Sequence, residues 1–107
     1  MSNTKDKLFN VESSALFIED YKPIGSLIVM TELREMPMFQ VKKFSDAVFV
    51  GQVNEKDLRD GLGVMIYKNG RIYEGNWKDD QREGKGLEKY SNNNKYEGDF
   101  SKGKAHG

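Results

Sequence analysis

The sequence contains no cysteine and only two prolines, one tryptophan and one histidine among its 107 residues. Without cysteine the chain can form no disulfide, no thiolate zinc site and no thiol nucleophile, and such a composition suits a reducing compartment. The single histidine is His106, and the residues around it supply no catalytic triad. We therefore expect a protein with no catalytic activity of its own and with no cofactor.

The chain also lacks an excess of charge and a long apolar run. Its 17 basic and 17 acidic residues give a formal net charge of zero, which disfavours nucleic acid as a partner. The longest apolar run, residues 27–30, is far shorter than the roughly 20 residues that cross a bilayer. Residues 1–10 show neither a secretory signal nor a mitochondrial presequence. A cytoplasmic location follows as an expectation.

Glycine is almost absent from the first half of the chain, and this divides the sequence into two regions. Ten of the 11 glycines lie at or after Gly51, so we predict an N-terminal extension over residues 1–46 and a glycine-rich region over 47–107. With 36% hydrophobic residues the core should be thin. A large closed active-site cavity is therefore not expected.

The extension contains the apolar run at residues 27–30, which fits either a cap on the second region or an anchor for a partner protein. A helix is predicted over residues 26–35, because Ser26 is a suitable N-cap and Pro37 disfavours helical geometry before it. Further on, extended chain is predicted around residues 39–41 and 48–50. Residues 42–46 between them should form a bulge or a turn.

The glycine-rich region repeats itself at a nearly fixed interval. Residues 73–77 (Tyr-Glu-Gly-Asn-Trp) reappear as residues 96–100 (Tyr-Glu-Gly-Asp-Phe), and residues 49–53 (Phe-Val-Gly-Gln-Val) are a degenerate earlier copy. A second pattern, Gly-x-Gly followed by tyrosine, moves with the first. A period of about 23 residues is typical of stacked arrays. We place the units at residues 48–71, 72–94 and 95–107, the last incomplete.

Each unit has the pattern of one β-hairpin. Residues 71–77 alternate in the period-two manner of a strand, with the aromatic residues on one face. A polar turn is predicted over 78–83, a return strand over 86–90 and a second turn over 91–94, where asparagine replaces Gly70 of the preceding turn. Glycine weakens a strand, so its recurrence indicates that an aromatic ring from a neighbouring hairpin lies over the bare backbone. Residues 104–107 stop where the return strand of the last unit should begin, which leaves an open sheet edge.

These patterns resemble the MORN (membrane occupation and recognition nexus) repeat, a hairpin unit with Tyr-x-Gly-x-Trp/Phe, a polar turn and Gly-x-Gly. The resemblance implies a mostly β protein, a single-layer antiparallel meander of β-hairpins. It says nothing about residues 1–46, where the residues themselves predict an irregular or partly helical N-terminal extension. The residues expected to build the repeats are Phe49, Gly51, Gly61, Gly63, Tyr67, Tyr73, Gly75, Trp77, Gly84, Gly86, Tyr90, Tyr96, Gly98 and Phe100.

MORN proteins include components of axonemal radial spokes and of the central apparatus, cytoskeletal and membrane-junction scaffolds, and regulatory segments of enzymes. The resemblance implies a non-catalytic scaffold in a larger assembly, with a ciliary axonemal complex as the leading hypothesis. Other protein subunits are the expected partners, with edge-strand pairing at the C-terminus. The aromatic residues either fill the seam between hairpins or bind a partner. The candidate partner-binding residues are Leu27, Ile28, Met30, Trp77, Tyr96 and Phe100.

Two alternatives remain open. The chain could be a peripheral membrane adaptor that binds acidic phospholipids through Lys85, Lys89, Lys95, Lys102 and Lys104, or a regulatory fragment of a larger enzyme. Enzyme and metal sites are less favoured. His106 fits a turn residue better than a general base, because similar repeats often carry histidine before glycine. Asp79, Asp80 and Glu83 fit a solvated turn better than a cation site. The Gly-x-Gly pairs lack the helix and the Gly-Lys-Ser/Thr ending of a phosphate loop.

Overall fold

The structure, a computed structural model, describes residues 21–106. In this part of the chain one helical turn, α1 (Met30–Leu33), precedes seven strands that form one sheet. The strands are β1 (Phe39–Lys43), β2 (Ala47–Val53), β3 (Arg59–Tyr67), β4 (Ile72–Lys78), β5 (Gln81–Lys89), β6 (Lys95–Ser101) and β7 (Lys104–His106). They pair in chain order and every pairing is antiparallel. The predicted mostly β, single-layer meander with a partly helical extension is confirmed.

The turns at one end of the sheet are shorter than predicted. Asp79 and Asp80 have φ angles of 45° and 73° and alone join β4 to β5. Lys102 and Gly103, with φ angles of 53° and 83°, do the same between β6 and β7. Two consecutive residues at positive φ form the type I′ turn that suits the twist of a hairpin. The predicted turn over 78–83 is therefore wrong in length, because residues 81–83 already belong to β5.

The turns at the opposite end match the prediction. The backbone N–H of Tyr67 donates to the carbonyl of Arg71 (2.9 Å), and in the next unit Tyr90 donates to Asn94 in the same way (2.8 Å). Gly70 has a φ of 97° in the first turn, and Asn93 takes the left-handed conformation in the second, with a φ of 73°. Asparagine tolerates this conformation better than most residues with a Cβ. The predicted bulge or turn over 42–46 is correct in place but too long, because Lys42 and Lys43 still pair in β1 and only residues 44–46 connect it to β2.

The described part of the N-terminal extension contains less helix than predicted. Helix α1 starts at Met30, its N-cap residue is Val29 in an extended conformation, and no side chain caps it. Ser26 is therefore not the N-cap. Ser26 and Leu27 lie in a bend, and the chain takes helical geometry only from Met30, where Met30 and Leu33 are buried against the sheet.

Residues 21–36, which we call the strap, cross one face of the sheet. Ile28, Met30 and Leu33 are buried in one apolar cluster with residues of β2 and β3. The sheet residues of that cluster are Val48, Val50, Val64 and Ile66. The run at residues 27–30 therefore acts as a cap on this face, which we call the capped face. Strand β1 joins the same sheet although it lies in the predicted extension, and the boundary between residues 46 and 47 stays a prediction.

Glu74, in the middle of β4, fixes the strap to the sheet. Its side chain is fully buried and accepts hydrogen bonds from the hydroxyl of Tyr21 (2.5 Å) and from the backbone N–H groups of Ile24 (2.7 Å) and Gly25 (3.0 Å). Burial, reinforced by this carboxylate, raises the pKa of Tyr21, so the phenol stays protonated and donates. A buried carboxylate with three donors is satisfied, and these bonds position the first residues of the strap.

We expect the substitution Glu74→Ala to destabilise the protein by about 3 kcal/mol, because two backbone N–H groups would lose their acceptor. The measurement is urea unfolding followed by the fluorescence of Trp77, which is buried and is the only tryptophan. Glu97 occupies the equivalent position of the next unit but is exposed, so Glu97→Ala is the matched control and should cost at most about 0.5 kcal/mol. Equal losses in the two variants would contradict the anchoring role of Glu74.

Candidate functional site

The face opposite the strap carries a continuous row of aromatic rings. Successive ring centroids lie 5.4, 5.1, 4.9 and 5.4 Å apart, and each pair is arranged edge to face. We call this set the aromatic row; in order it contains Phe49, Trp77, Tyr73, Phe100 and Tyr96. The first four are buried, whereas Tyr96 is half-buried and ends the row. The edge-to-face geometry is the favourable one for aromatic pairs.

Glycines beneath the rings make this packing sterically feasible. A Cβ at Gly63 would lie 2.4 Å from the ring of Phe49, and a Cβ at Gly86 would lie 2.5 Å from the ring of Tyr73. Each ring comes from the adjacent strand of the same hairpin unit, so the prediction of a ring over these glycines is confirmed but its expected source, a neighbouring hairpin, is wrong. Gly98 meets Tyr96 of its own strand instead. Gly84 departs from the prediction, because its φ of 86° and its nearest neighbour, Asn76, show a conformational requirement rather than a ring.

The strands bend sharply over the aromatic row. Arg82 at the start of β5 contacts Glu88, near the end of the same strand, at 2.8 Å. In a straight strand a separation of six residues spans about 20 Å, which is more than two side chains can bridge. Arg59 likewise reaches the sulfur of Met65 in β3 (3.6 Å). The first part of each strand therefore folds back toward the rings and helps to enclose them.

Two arginines lie over the rings at the repeat interval. The guanidinium of Arg59 is 4.5 Å from the centroid of Trp77, and that of Arg82 is 5.6 Å from Tyr73. Each arginine also donates to a backbone carbonyl in the next two-residue turn, Arg59 to Asp80 (3.0 Å) and Arg82 to Gly103 (2.6 Å). The hydrogen bond from Arg59 to the carboxylate of Asp80 (2.6 Å) lowers the pKa of that carboxyl. Cation–π contacts and turn contacts thus join successive hairpins.

Glu88 is a second buried carboxylate, on the aromatic side of β5. It accepts from both Arg71 and Arg82, and its hydrogen bond raises the pKa of Arg71 further. The ring of Tyr67 lies 5.1 Å below the guanidinium of Arg71. The sequence pattern predicts a role for neither Glu74 nor Glu88, since both alternate along their strands as ordinary outward-facing charges would.

The candidate partner-binding residues lie mostly inside the protein. Ile28 and Met30 belong to the strap and are buried against the sheet, and Trp77 and Phe100 are buried in the aromatic row. Leu27 and Tyr96 are half-buried and have surface left for contact. Their role in partner binding stays a prediction.

The candidate lipid-binding lysines lie on one side of the sheet, with one exception. By strand register Lys85, Lys89, Lys95 and Lys104 point to the capped face beyond the strap, whereas Lys102 lies in the β6–β7 turn. Glu97 and Asp99 lie on the same face among them. Lys85 and Asp99 form an exposed ion pair of 2.7 Å, which raises the pKa of Lys85. Lipid binding by these residues stays a prediction.

The less favoured catalytic and metal residues have structural partners. Asp79 accepts from the side chain of Asn54 (2.9 Å), and Glu83 accepts from the backbone N–H of Lys102 (2.9 Å). Within residues 21–106 no three acidic or histidine side chains converge as a metal site would require. His106 lies in strand β7 and not in the predicted turn, because the chain pairs again from Lys104 onward. In the same part of the chain, no helix has the length and apolarity to span a bilayer.

Comparison with protein families agrees with the geometry of the hairpins. The model of the MORN repeat matches residues 50–70, 73–95 and 96–107, together a little over half of the chain. The chain belongs to the MORN repeat family. No curated protein matches it. MORN repeats are non-catalytic motifs that mediate interactions with proteins or membranes, so the repeat array of this chain is an interaction module.

The ring-over-glycine packing of these MORN repeats can be tested at Gly86. The substitution Gly86→Ala should cost about 2–3 kcal/mol, because the methyl group must displace the ring of Tyr73 or the strand beneath it. Gly70→Ala is the control: nothing lies within 4 Å of its Cβ position, so only its positive φ should count, at about 1 kcal/mol. Urea unfolding measures both. A smaller loss for Gly86→Ala than for Gly70→Ala would contradict the packing.

The ion pair between Arg59 and Asp80 predicts that the stability of the protein depends on pH. The pKa of Asp80 is lowered in the folded state from its ordinary value of 3.8, so its ionised form stabilises the fold above that value. This contribution is lost as the pH falls through the folded pKa. We expect Asp80→Asn to be less stable than the wild type at neutral pH, with the difference shrinking as the pH falls below 3.8. Parallel urea titrations at several pH values measure it, and a difference that grows in acid would contradict the pairing.

Proposed function

We propose that this MORN protein is a non-catalytic scaffold, a protein-interaction subunit of a larger cytoplasmic assembly, and that the assembly is an axonemal complex of the cilium such as a radial spoke or the central apparatus. The observation that carries the scaffold proposal is the outer edge of β7. All three residues of this strand are exposed, and among residues 21–106 no strand pairs with its outer side.

The hydrogen-bonding groups at this edge can be assigned from the register. Ser101 pairs with Lys104 across the two-residue turn, and Phe100 pairs with Ala105. In a two-residue hairpin the pair next to the turn is hydrogen-bonded and the following pair is not. The N–H and C=O of Ala105 therefore point outward, away from β6. They can pair with a further strand, next to the half-buried ring of Tyr96, and we propose that this strand belongs to another subunit.

The rest of the array supports a structural role. Both apolar clusters are filled by the chain's own side chains, and the buried carboxylates of Glu74 and Glu88 are held by neutral or cationic donors. An open depression of about 330 Å³ beside the β4–β5 turn is lined by Met38, Asn54, Glu55, Lys56 and Asp79, but Asn54 and Asp79 bond each other there. This arrangement suits a rigid element that presents edges and faces to partners.

A peripheral membrane adaptor is the second candidate, favoured by the four lysines that share the capped face. The carboxylates of Glu97 and Asp99 lie among these lysines and oppose an acidic lipid surface. The third candidate, a regulatory fragment of a larger enzyme, is not distinguished from a scaffold by any contact in residues 21–106.

The test is retention on isolated axonemes. A tagged wild-type chain expressed in ciliated cells should remain with axonemes after detergent extraction at moderate salt. Ala105→Pro removes an outward N–H without breaking a bond to β6 and should reduce retention about tenfold, whereas Lys104→Ala is the matched control and should retain it. Release of the wild type with the detergent-soluble fraction would contradict the axonemal assembly. Equal retention of Ala105→Pro would contradict the role of the β7 edge.

A further inference from the structure

The capped face continues beyond the strap onto β5 and β6, where its residues form three cross-strand pairs. Lys85 lies opposite Asp99, Leu87 opposite Glu97, and Lys89 opposite Lys95. The first pair is an ion pair, and Leu87 is buried against Gly25 and Glu74. We call the exposed part of these pairs, Lys85, Lys89, Lys95, Glu97 and Asp99, the lysine face. It adjoins the contact between the strap and the sheet.

The same positions of the preceding hairpin are covered by the strap. On β3 and β4, Val64 pairs with Glu74 and Ile66 pairs with Ile72. One repeat unit later, the pair of Val64 and Glu74 becomes Leu87 and Glu97, and the pair of Ile66 and Ile72 becomes Lys89 and Lys95. Ile66 and Ile72 belong to the cluster beneath the strap. Two isoleucines beneath the strap thus correspond to two lysines in a strand pair that the strap, within residues 21–106, does not cover.

The pair of Lys89 and Lys95 is electrostatically unfavourable by itself. Like charges directly opposite on an antiparallel pair destabilise a sheet, and neither lysine has an ion-pair partner among residues 21–106. Lys89 is also half-buried, so its charge is not fully solvated. An anionic group placed over both ammonium groups would remove this repulsion.

Glu97 sets a second requirement for a ligand of the lysine face, which is that the ligand donates hydrogen bonds. It occupies the position of Glu74 in the next unit, preceded by tyrosine and followed by glycine in both cases. Glu74 binds two consecutive backbone N–H groups of an extended segment. Glu97 is exposed and has no hydrogen-bond partner among the described residues, so its carboxylate can accept the same kind of donors.

We infer that the lysine face is a docking surface for an extended, acidic peptide segment of a partner protein, which places carboxylates on Lys89 and Lys95 and donates backbone N–H groups to Glu97. This deepens the scaffold function proposed above and rests on it. The strap shows that this face of the sheet binds an extended segment. Because lysines take the place of the isoleucines beneath the strap, the segment that binds the lysine face should be acidic.

The carboxylates on the lysine face favour a peptide over a membrane. Glu97 and Asp99 would face the phosphates of an acidic lipid surface, with which they repel each other. A peptide has N–H donors for the free carboxylate of Glu97 as well as acidic side chains for the lysines. Lipid headgroups supply mainly anionic groups for the lysines.

The experiment measures binding of a fluorescently labelled peptide of about eight residues, ~26 Å long when extended, in which glutamate alternates with glycine, serine or tyrosine. The control peptide has glutamine in place of glutamate. The full wild-type chain should bind the acidic peptide at least about tenfold more tightly than the control peptide. Equal binding of the two peptides, or no binding at millimolar protein, would overturn the proposal.

Charge-reversal variants locate the site. Lys95→Glu should weaken peptide binding about tenfold, and Glu97→Gln should also weaken it. Lys102→Glu changes the net charge equally but lies in the β6–β7 turn, so it should bind as the wild type does. In the free protein Lys95→Glu should raise the midpoint of urea unfolding, because it replaces a like-charge pair with an opposite-charge pair. A variant more stable than the wild type yet weaker in binding cannot be explained by misfolding.

Vesicles of phosphatidylcholine with phosphatidylserine and phosphoinositide test the other source of anionic groups. Vesicle binding that exceeds peptide binding and falls equally with Lys95→Glu and Lys102→Glu would overturn the peptide proposal in favour of a membrane. Weak vesicle binding together with selective peptide binding would support it. The outcome is separate from axoneme retention, because Ala105→Pro alters the sheet edge and leaves the lysine face unchanged.

Discussion

The close approach of an aromatic ring to a bare backbone is the constraint on which this sheet depends. A side chain at Gly63 or Gly86 would occupy the space of the ring of Phe49 or Tyr73. The two strands must therefore pair in the register that places glycine beneath the ring. A slip of one residue would turn each ring to the other face of the sheet. The ring–glycine contacts therefore fix the register, and with it the bend that brings Arg82 back to Glu88.

The two faces of the sheet are closed by different means. The aromatic side closes on itself, because the bent strands and their arginines cover the rings. The capped face needs the strap, whose position depends on the carboxylate of Glu74 as well as on apolar contact. Burying that carboxylate costs free energy unless donors compensate it, and Tyr21, Ile24 and Gly25 supply them. A sheet of one layer thereby acquires two cores.

The repeat pattern carries most of the fold, because ring, glycine and turn residues each have a local steric reason that is visible in the sequence. Hairpin order, the left-handed residue at Asn93 and the rings over Gly63 and Gly86 follow from such reasons. The start of α1 was not predicted correctly, since Ser26 is a good N-cap by residue type but lies in a bend, and the helix begins at Met30, which packs in the cluster between the strap and the sheet. The two-residue turn at Asp79 and Asp80 was missed because aspartates rarely take positive φ in succession. Glu88 was missed because one of its partners, Arg82, meets it only after the strand bends.

The arginines that reach from one hairpin to the next give the array a direction. Arg59 and Arg82 each contact the turn that follows them along the sheet, so a hairpin is held by a side chain of its predecessor and holds its successor by its own. A force that separates the strands in order would meet these contacts one after another rather than together. Resistance to such a force should therefore rise once per repeat, at each arginine that lies over an aromatic ring and bonds the next turn.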